Sequence, residues 1–89
     1  MPHVRFTPNL RRHTRCEDAF AHGATVAETL SNYFARHPGV RGYVLDDQGA
    51  VRHHVVVFVN GVQLRDRRSL SDSIEPQGEI FVFQALSGG

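Results

Sequence analysis

Six histidines, one cysteine, two adjacent aspartates and a terminal glycine pair are the residues of this 89-residue chain that could do chemistry. Histidines can hold a metal or move protons, but their spacing here argues against both. His53 and His54 are neighbours in what reads as a strand, so their side chains should point to opposite faces and not share one ion. His3, His13, His22 and His37 show no H-x-x-x-H spacing and no paired carboxylate, so they read as solvent-facing. Asp46 and Asp47 lie in the turn DDQG and lack the regular ligand pattern of a calcium loop. Cys16 is alone, so it cannot staple its own chain or form a Cys-Cys zinc knuckle. A buried inert thiol is a commoner state for such a residue than a nucleophile. There is no glycine-rich phosphate loop and no serine elbow. No catalytic activity of the chain's own, no metal and no bound cofactor are expected. What remains is QALSGG, Gln84 to Gly89, in which a hydrophobic run stops on two bare glycines.

Composition narrows the partners. The net charge is +1 with neutral histidines, which gives no global field to gather nucleic acid. All ten basic residues are arginine, and lysine is absent. The nearest basic cluster, Arg11, Arg12, His13 and Arg15, reads as a solvated turn first and as a contact for an anionic partner second. Apolar residues make up 40% of the chain, ordinary for a folded protein, and no run is long enough to cross a bilayer. MPHVRFTPNL lacks the apolar segment of a signal peptide, so cytoplasmic residence is expected.

One domain with one modest core fits this length. HVRFT alternates, with Val4 and Phe6 on one side and Arg5 on the other, and predicts a half-buried strand interrupted by Pro8 and Asn9. Arg15 to Ala21 predicts a weaker strand. The clearest helix lies in ATVAETLSNYFARHPG, with Thr25 and Glu28 as a capping box, a stripe of Val26, Ala27, Leu30, Tyr33 and Phe34, and a stop at Pro38-Gly39. Val40 to Ala50 reads as irregular. HHVVVFVNG predicts a strand with Val55, Val57 and Val59 on one face and His54, Val56 and Phe58 on the other, ending in an Asn60-Gly61 type I′ turn that pairs VQL back. A polar connector anchored by Leu70 and Ile74 leads to the last strand, EIFVFQAL. The order implies an α+β two-layer domain, a mixed four- to five-stranded sheet with one main helix on one face.

GATVAETL (Gly23 to Leu30), VVVFVNG (Val55 to Gly61) and EIFVFQALSGG (Glu79 to Gly89), in this order, resemble the MoaD/ThiS type of sulfur-carrier protein, of the ubiquitin-like β-grasp superfamily. The resemblance spans nearly the whole chain and implies a β-grasp domain over residues 1–84 with a flexible tail over 85–89. It also implies that the Gly89 carboxylate is the reacting group. An E1-like enzyme of the MoeB/ThiF type would adenylate it with ATP, a sulfurtransferase or other sulfur source would convert it to a thiocarboxylate, and a biosynthetic enzyme would accept the sulfur. Gly88 and Gly89, with no Cβ, suit a tail that must enter a narrow channel. Leu86 and Ser87 would line its path.

If Ile80 and Val82 face the helix, Phe81 and Phe83 face away, and the same alternation turns Val56 and Phe58 outward. That apolar patch is the expected partner-binding face. Two alternatives stand beside the carrier: a ubiquitin-like modifier conjugated through Gly89, and a β-grasp interaction module with no catalytic role. The missing lysines count against a polymer-forming modifier.

Overall fold

The computed structural model describes residues 1–14 and 16–85. Five strands form one sheet: β1 (His3–Phe6), β2 (Ala19–Phe20), β3 (Val55–Val59), β4 (Val62–Gln63) and β5 (Glu79–Gln84). Their spatial order is β2-β1-β5-β3-β4. The last strand is therefore the middle one. It runs parallel to β1, with Val4 beside Ile80 and Phe6 beside Val82, and antiparallel to β3, with Val57 beside Val82. Alternation along these three strands sends Val4, Phe6, Val55, Val57, Ile80 and Val82 to one face, where each is at most 2% exposed.

The main helix, α2 (Val26–Arg36), covers that face with Val26, Leu30, Tyr33 and Phe34. Its start is fixed three times over. Thr25 Oγ1 accepts from the Glu28 amide at 3.1 Å, and the Glu28 carboxylate accepts from the Ala24 amide at 2.9 Å. The Val26 and Ala27 amides donate to the carbonyls of Asp72 and Leu70, each at 2.9 Å. The orphan donors of the first turn are thus satisfied by a capping side chain and by the connector 65–74. That connector holds itself in shape through two carboxylates. Asp66 accepts from the amides of Arg68, Ser69 and Ser71, and Asp72 accepts from those of Arg65 and Asp66. The Ser69 amide and the Ser71 hydroxyl, followed by the Ser71 and Arg68 amides, hold Asp66 at about 2, well below its ordinary 3.8. Leu70 and Ile74 are buried as the sequence requires, Leu70 with a left-handed backbone at φ 53°.

Gly23 is glycine for lack of space. A Cβ there would fall on the Thr29 hydroxyl and backbone nitrogen. The Asn60-Gly61 turn has φ 51° and 80°, the type I′ signature, and joins Val59 to Val62 directly across the hairpin.

Several expectations change. Pro8 and Asn9 do not interrupt a strand for a turn; they open a helix, α1 (Pro8–Thr14), so Arg11 and Arg12 are helical. Thr7 caps it, its Oγ1 3.5 Å from the Leu10 amide, and Pro8 at the first helical position lacks only a donor that would have gone unpaired. Within Val40 to Ala50 a short helix, α3 (Arg41–Val44), continues a 3₁₀ turn at Pro38–Val40. The strand expected over Arg15 to Ala21 shrinks to two residues, because the Asp18 carboxylate takes the Phe6 amide at 2.9 Å and displaces regular pairing. His53 and His54 precede β3 in a turn and are both exposed, rather than alternating on a strand, because the chain closes there through a Val55 amide bond to the Arg52 carbonyl. Cys16 is fully buried, and the Tyr33 hydroxyl beside it donates to the Glu17 carbonyl at 2.6 Å, with burial pushing the phenol pKa far up. Among the described residues no helix is long and apolar enough to cross a membrane, and no group of three metal-binding side chains converges.

Candidate functional site

The side of the sheet turned away from α2 carries the other half of each alternation. Phe81 and Phe83 on β5 and Val56 and Phe58 on β3 are all half-buried, whereas their strand neighbours Ile80, Val82 and Val57 are sealed in the core. Register then brings them together. Phe58 lies beside Phe81, and Val56 beside Phe83. The Phe58 and Phe83 rings meet edge-on with centroids 5.5 Å apart, and Phe81 and Phe83 meet tilted at 5.6 Å, both favourable aromatic geometries. All four residues expected on this face stand on it, the three rings in contact and Val56 in register with Phe83.

The sequence reading missed its polar margin. Parallel pairing places Arg5 of β1 beside Phe81 and His3 beside Glu79. The Arg5 guanidinium lies over the Phe81 ring, 5.7 Å from its centroid, and pairs with Glu79 at 3.3 Å. Further out, Phe20 is 56% exposed and stacks on His3 at 4.4 Å. The outward position of Arg5 was legible in the alternation of HVRFT; its neighbours were not, because nothing local specifies that the first and last strands run side by side. Arg5, Phe58, Gly61, Glu79 and Phe81 line a shallow, open recess of about 280 Å³. A second recess of about 290 Å³ lies on the helix side, between α2 and the connector, floored by Leu30, Phe34, Leu45 and Leu70.

β5 leads from this face to the chain's end. Its pairing persists to Ala85, whose amide donates to the His54 carbonyl at 2.8 Å, two residues past Phe83. Leu86, Ser87, Gly88 and Gly89, the residues expected to form and lead to the reacting end, lie outside the described residues.

Comparison with known proteins agrees with this architecture. One chain of the BexX/CysO complex of Amycolatopsis orientalis superposes with a TM-score of 0.83 at 26% identity, over 100% of both chains. CysO of Mycobacterium tuberculosis gives 0.81 at 22% identity over 97% of this chain and 100% of that one. SAMP1 of Haloferax volcanii gives 0.75 at 23% identity over 98% and 97%. These solved structures share the ubiquitin-like β-grasp fold. No curated protein matches the sequence. The ThiS family model matches residues 4–89. Fold and family match converge over nearly the whole length: the chain belongs to the ThiS family of ubiquitin-like sulfur carriers, proteins that are acted on and are not themselves catalysts.

Proposed function

We propose that this protein carries sulfur on its own C-terminal carboxylate, at Gly89. The observation that carries the reading is the family match, which runs through Gly88 and Gly89. A free carboxylate resists nucleophiles because of its charge. Attack of a Gly89 oxygen on the α-phosphorus of ATP, in an E1-like enzyme of the MoeB/ThiF type, expels pyrophosphate and leaves an acyl-adenylate. Hydrosulfide displaces AMP to give a thiocarboxylate directly; where the sulfur arrives as a sulfurtransferase persulfide, AMP leaves to form an acyl disulfide, and a thiol then cleaves its S–S bond, releasing the thiocarboxylate and keeping the sulfurtransferase sulfur in a new disulfide. The ionised, polarizable sulfur of the thiocarboxylate passes to a biosynthetic enzyme that builds a cofactor, an amino acid or another sulfur-containing metabolite. The carrier holds no cofactor, and the nucleotide sits on the partner.

Residues 1–84 then act as the handle and 85–89 as the tail, with Ala85 its paired root and the residues beyond it entering the partner. The Val56, Phe58, Phe81 and Phe83 face is the grip, an apolar surface continuous with the strand that leads into the tail. Leu86 and Ser87 occupy the partner's channel mouth, and Gly88 and Gly89 pass where a Cβ would clash.

A ubiquitin-like modifier joined to other proteins through Gly89 uses the same activation, and the fold is shared with a protein named small archaeal modifier protein 1. Intact-mass analysis of the protein from its native host separates the readings. One oxygen-to-sulfur exchange at Gly89 is expected of the carrier. Isopeptide conjugates to lysines of other proteins would establish the modifier instead. An unmodified carboxylate under every sulfur condition would leave a β-grasp interaction module. Deleting Gly89 should abolish loading and leave thermal melting unchanged.

A further inference from the structure

The half-buried apolar face explains why a partner adheres, and not how the correct partner is chosen. The recess beside it has the parts for that choice. Phe58 and Phe81 form its apolar walls, and Gly61, at the tight turn, leaves one side open by lacking a side chain. Arg5 and Glu79 close the other side with opposite charges in a fixed order.

Two features set this ion pair apart from an incidental surface contact. First, its backbone supports are rigid. Arg5 sits in the parallel ladder opposite Phe81. Glu79 is clamped to the hairpin by two bonds, its amide donating to Asn60 Oδ1 at 2.8 Å and its carbonyl accepting from the Asn60 amide at 2.9 Å. Second, the guanidinium is underused. Both recorded contacts to Glu79 come from Nη1, at 3.3 and 3.5 Å, and among the described residues Nε and Nη2 donate to nothing. An arginine has five N–H donors, so most of its capacity remains open. Phe81 holds the planar group in place beside the recess.

Stability does not account for the arrangement. The two side chains are 44% and 43% exposed, and a solvent-screened pair of this kind contributes little to stability. Covering it changes the balance. When a partner excludes water, each charge must find its complement, and a mismatched charge order is penalised far more than in solvent.

We propose that the recess is the specificity element of the docking face. It takes one apolar side chain from the activating enzyme, flanked by a carboxylate that engages the free donors of Arg5 and by a hydrogen-bond donor that engages Glu79. This rests on the carrier reading above and adds to it the chemistry of the partner's surface.

The test exchanges the charges. In Arg5→Glu/Glu79→Arg the internal pair can form again with its order reversed, so folding is preserved while the pattern offered to the partner is inverted. Adenylation is followed by ATP–pyrophosphate exchange with the E1-like enzyme of the same organism. The expected result is at least a tenfold fall in kcat/KM, carried by KM, with thermal melting within a few degrees of the natural protein. Arg5→Gln, which removes the positive charge and all but two of the donors without adding repulsion, should show a smaller fall of the same kind. Natural activity in both variants would overturn the specificity element and leave the carrier intact. Failure of the natural protein itself to support exchange would overturn the carrier reading instead. A fall in kcat at unchanged KM would also reject the proposal, because it would place the pair in chemistry and not in recognition.

Discussion

Gly23→Ala should be among the most damaging single-methyl additions this fold can receive. The new Cβ would land on the Thr29 hydroxyl and amide nitrogen and within 2.7 Å of its Cα. A flexible side-chain tip could swing away, but two of these three atoms are backbone. Thr29 is fully buried, its hydroxyl donates to the Thr25 carbonyl at 2.9 Å, and its amide donates to the same oxygen at 3.0 Å. Either the methyl is forced in or the first turn of α2 gives way. Forcing it in costs about 1–3 kcal/mol by overpacking, toward the upper end where backbone must move. Yielding costs about 1 kcal/mol for the Thr25 cap and about 1 kcal/mol for each hydrogen bond released. Both routes arrive near 2–3 kcal/mol, which for a chain of this size lowers melting by roughly 10–20 °C. Thermal and urea unfolding, followed by circular dichroism, measure it directly. Gly42→Ala is the control, since nothing lies within 4 Å of its Cβ. It should be neutral or stabilise α3 by up to about 1 kcal/mol. If Gly23→Ala melted within about 3 °C of the natural protein, the close approach of this loop to α2 would not be what reserves the position for glycine.

Other perturbations separate the body from its docking face. Thr25→Ala removes the side-chain cap and should cost about 1 kcal/mol in urea unfolding, with no change in activation at saturating enzyme. Asp66 has a folded pKa of about 2 against an ordinary 3.8, so its contribution to stability is complete above 3.8 and disappears as pH falls from there toward 2. Unfolding curves across that window should show an acid-labile limb that Asp66→Asn flattens; an unaltered limb would reject the carboxylate cage as its cause. Phe83→Asp breaks ring contacts with Phe58 and Phe81, worth about 0.5–1.5 kcal/mol each, yet the domain should remain folded. Its affinity for the activating enzyme should fall more than tenfold, and equal affinity in a pull-down titration would remove the face from docking.

The parts of the fold written in short-range pattern were legible from sequence. The Val26 to Phe34 stripe, the Thr25 cap, the Asn60-Gly61 turn and the inward and outward sides of β3 and β5 each depend on residues a few positions apart. The outward apolar quartet of Val56, Phe58, Phe81 and Phe83 followed from those alternations. What stayed hidden depends on contacts between distant segments. Pro8 and Asn9 read as a break after a strand, and the helix they open shows only in its Thr7 cap and the burial of Leu10. Asp66 and Asp72 look like solvated loop residues until their amide partners are known. Arg5 and Glu79 are 74 positions apart and meet only because β1 and β5 are parallel neighbours. An exposed charge pair of that separation leaves no periodic trace, so the apolar part of the outward sheet face was legible in sequence and its charged margin was not.

Placing β5 in the centre of the sheet has a mechanical consequence for a carrier. A strand at an edge is held from one side and frays; β5 is held by β1 and β3 together, and its pairing to the β3 side extends through Ala85. A partner that grips Phe83 and Val56 is therefore gripping the root of the tail through a rigid connection. The four residues beyond Ala85 can span at most about 13 Å when extended, at about 3.3 Å each. On the proposed function, the grip would confine the Gly89 carboxylate within that radius even before the tail finds its channel, and binding at the face would raise its effective concentration at the partner's active site. Lengthening the tail should weaken this coupling only gradually, since the entropy of closure grows slowly with chain length. Misplacing the reacting carbonyl is a different matter, because catalysis demands alignment of the reacting atoms. Extra glycines inserted between Ser87 and Gly88 should thus leave affinity for the activating enzyme nearly unchanged while lowering the rate of adenylate formation. An equal loss of affinity would mean that the tail, and not the sheet face, supplies most of the grip.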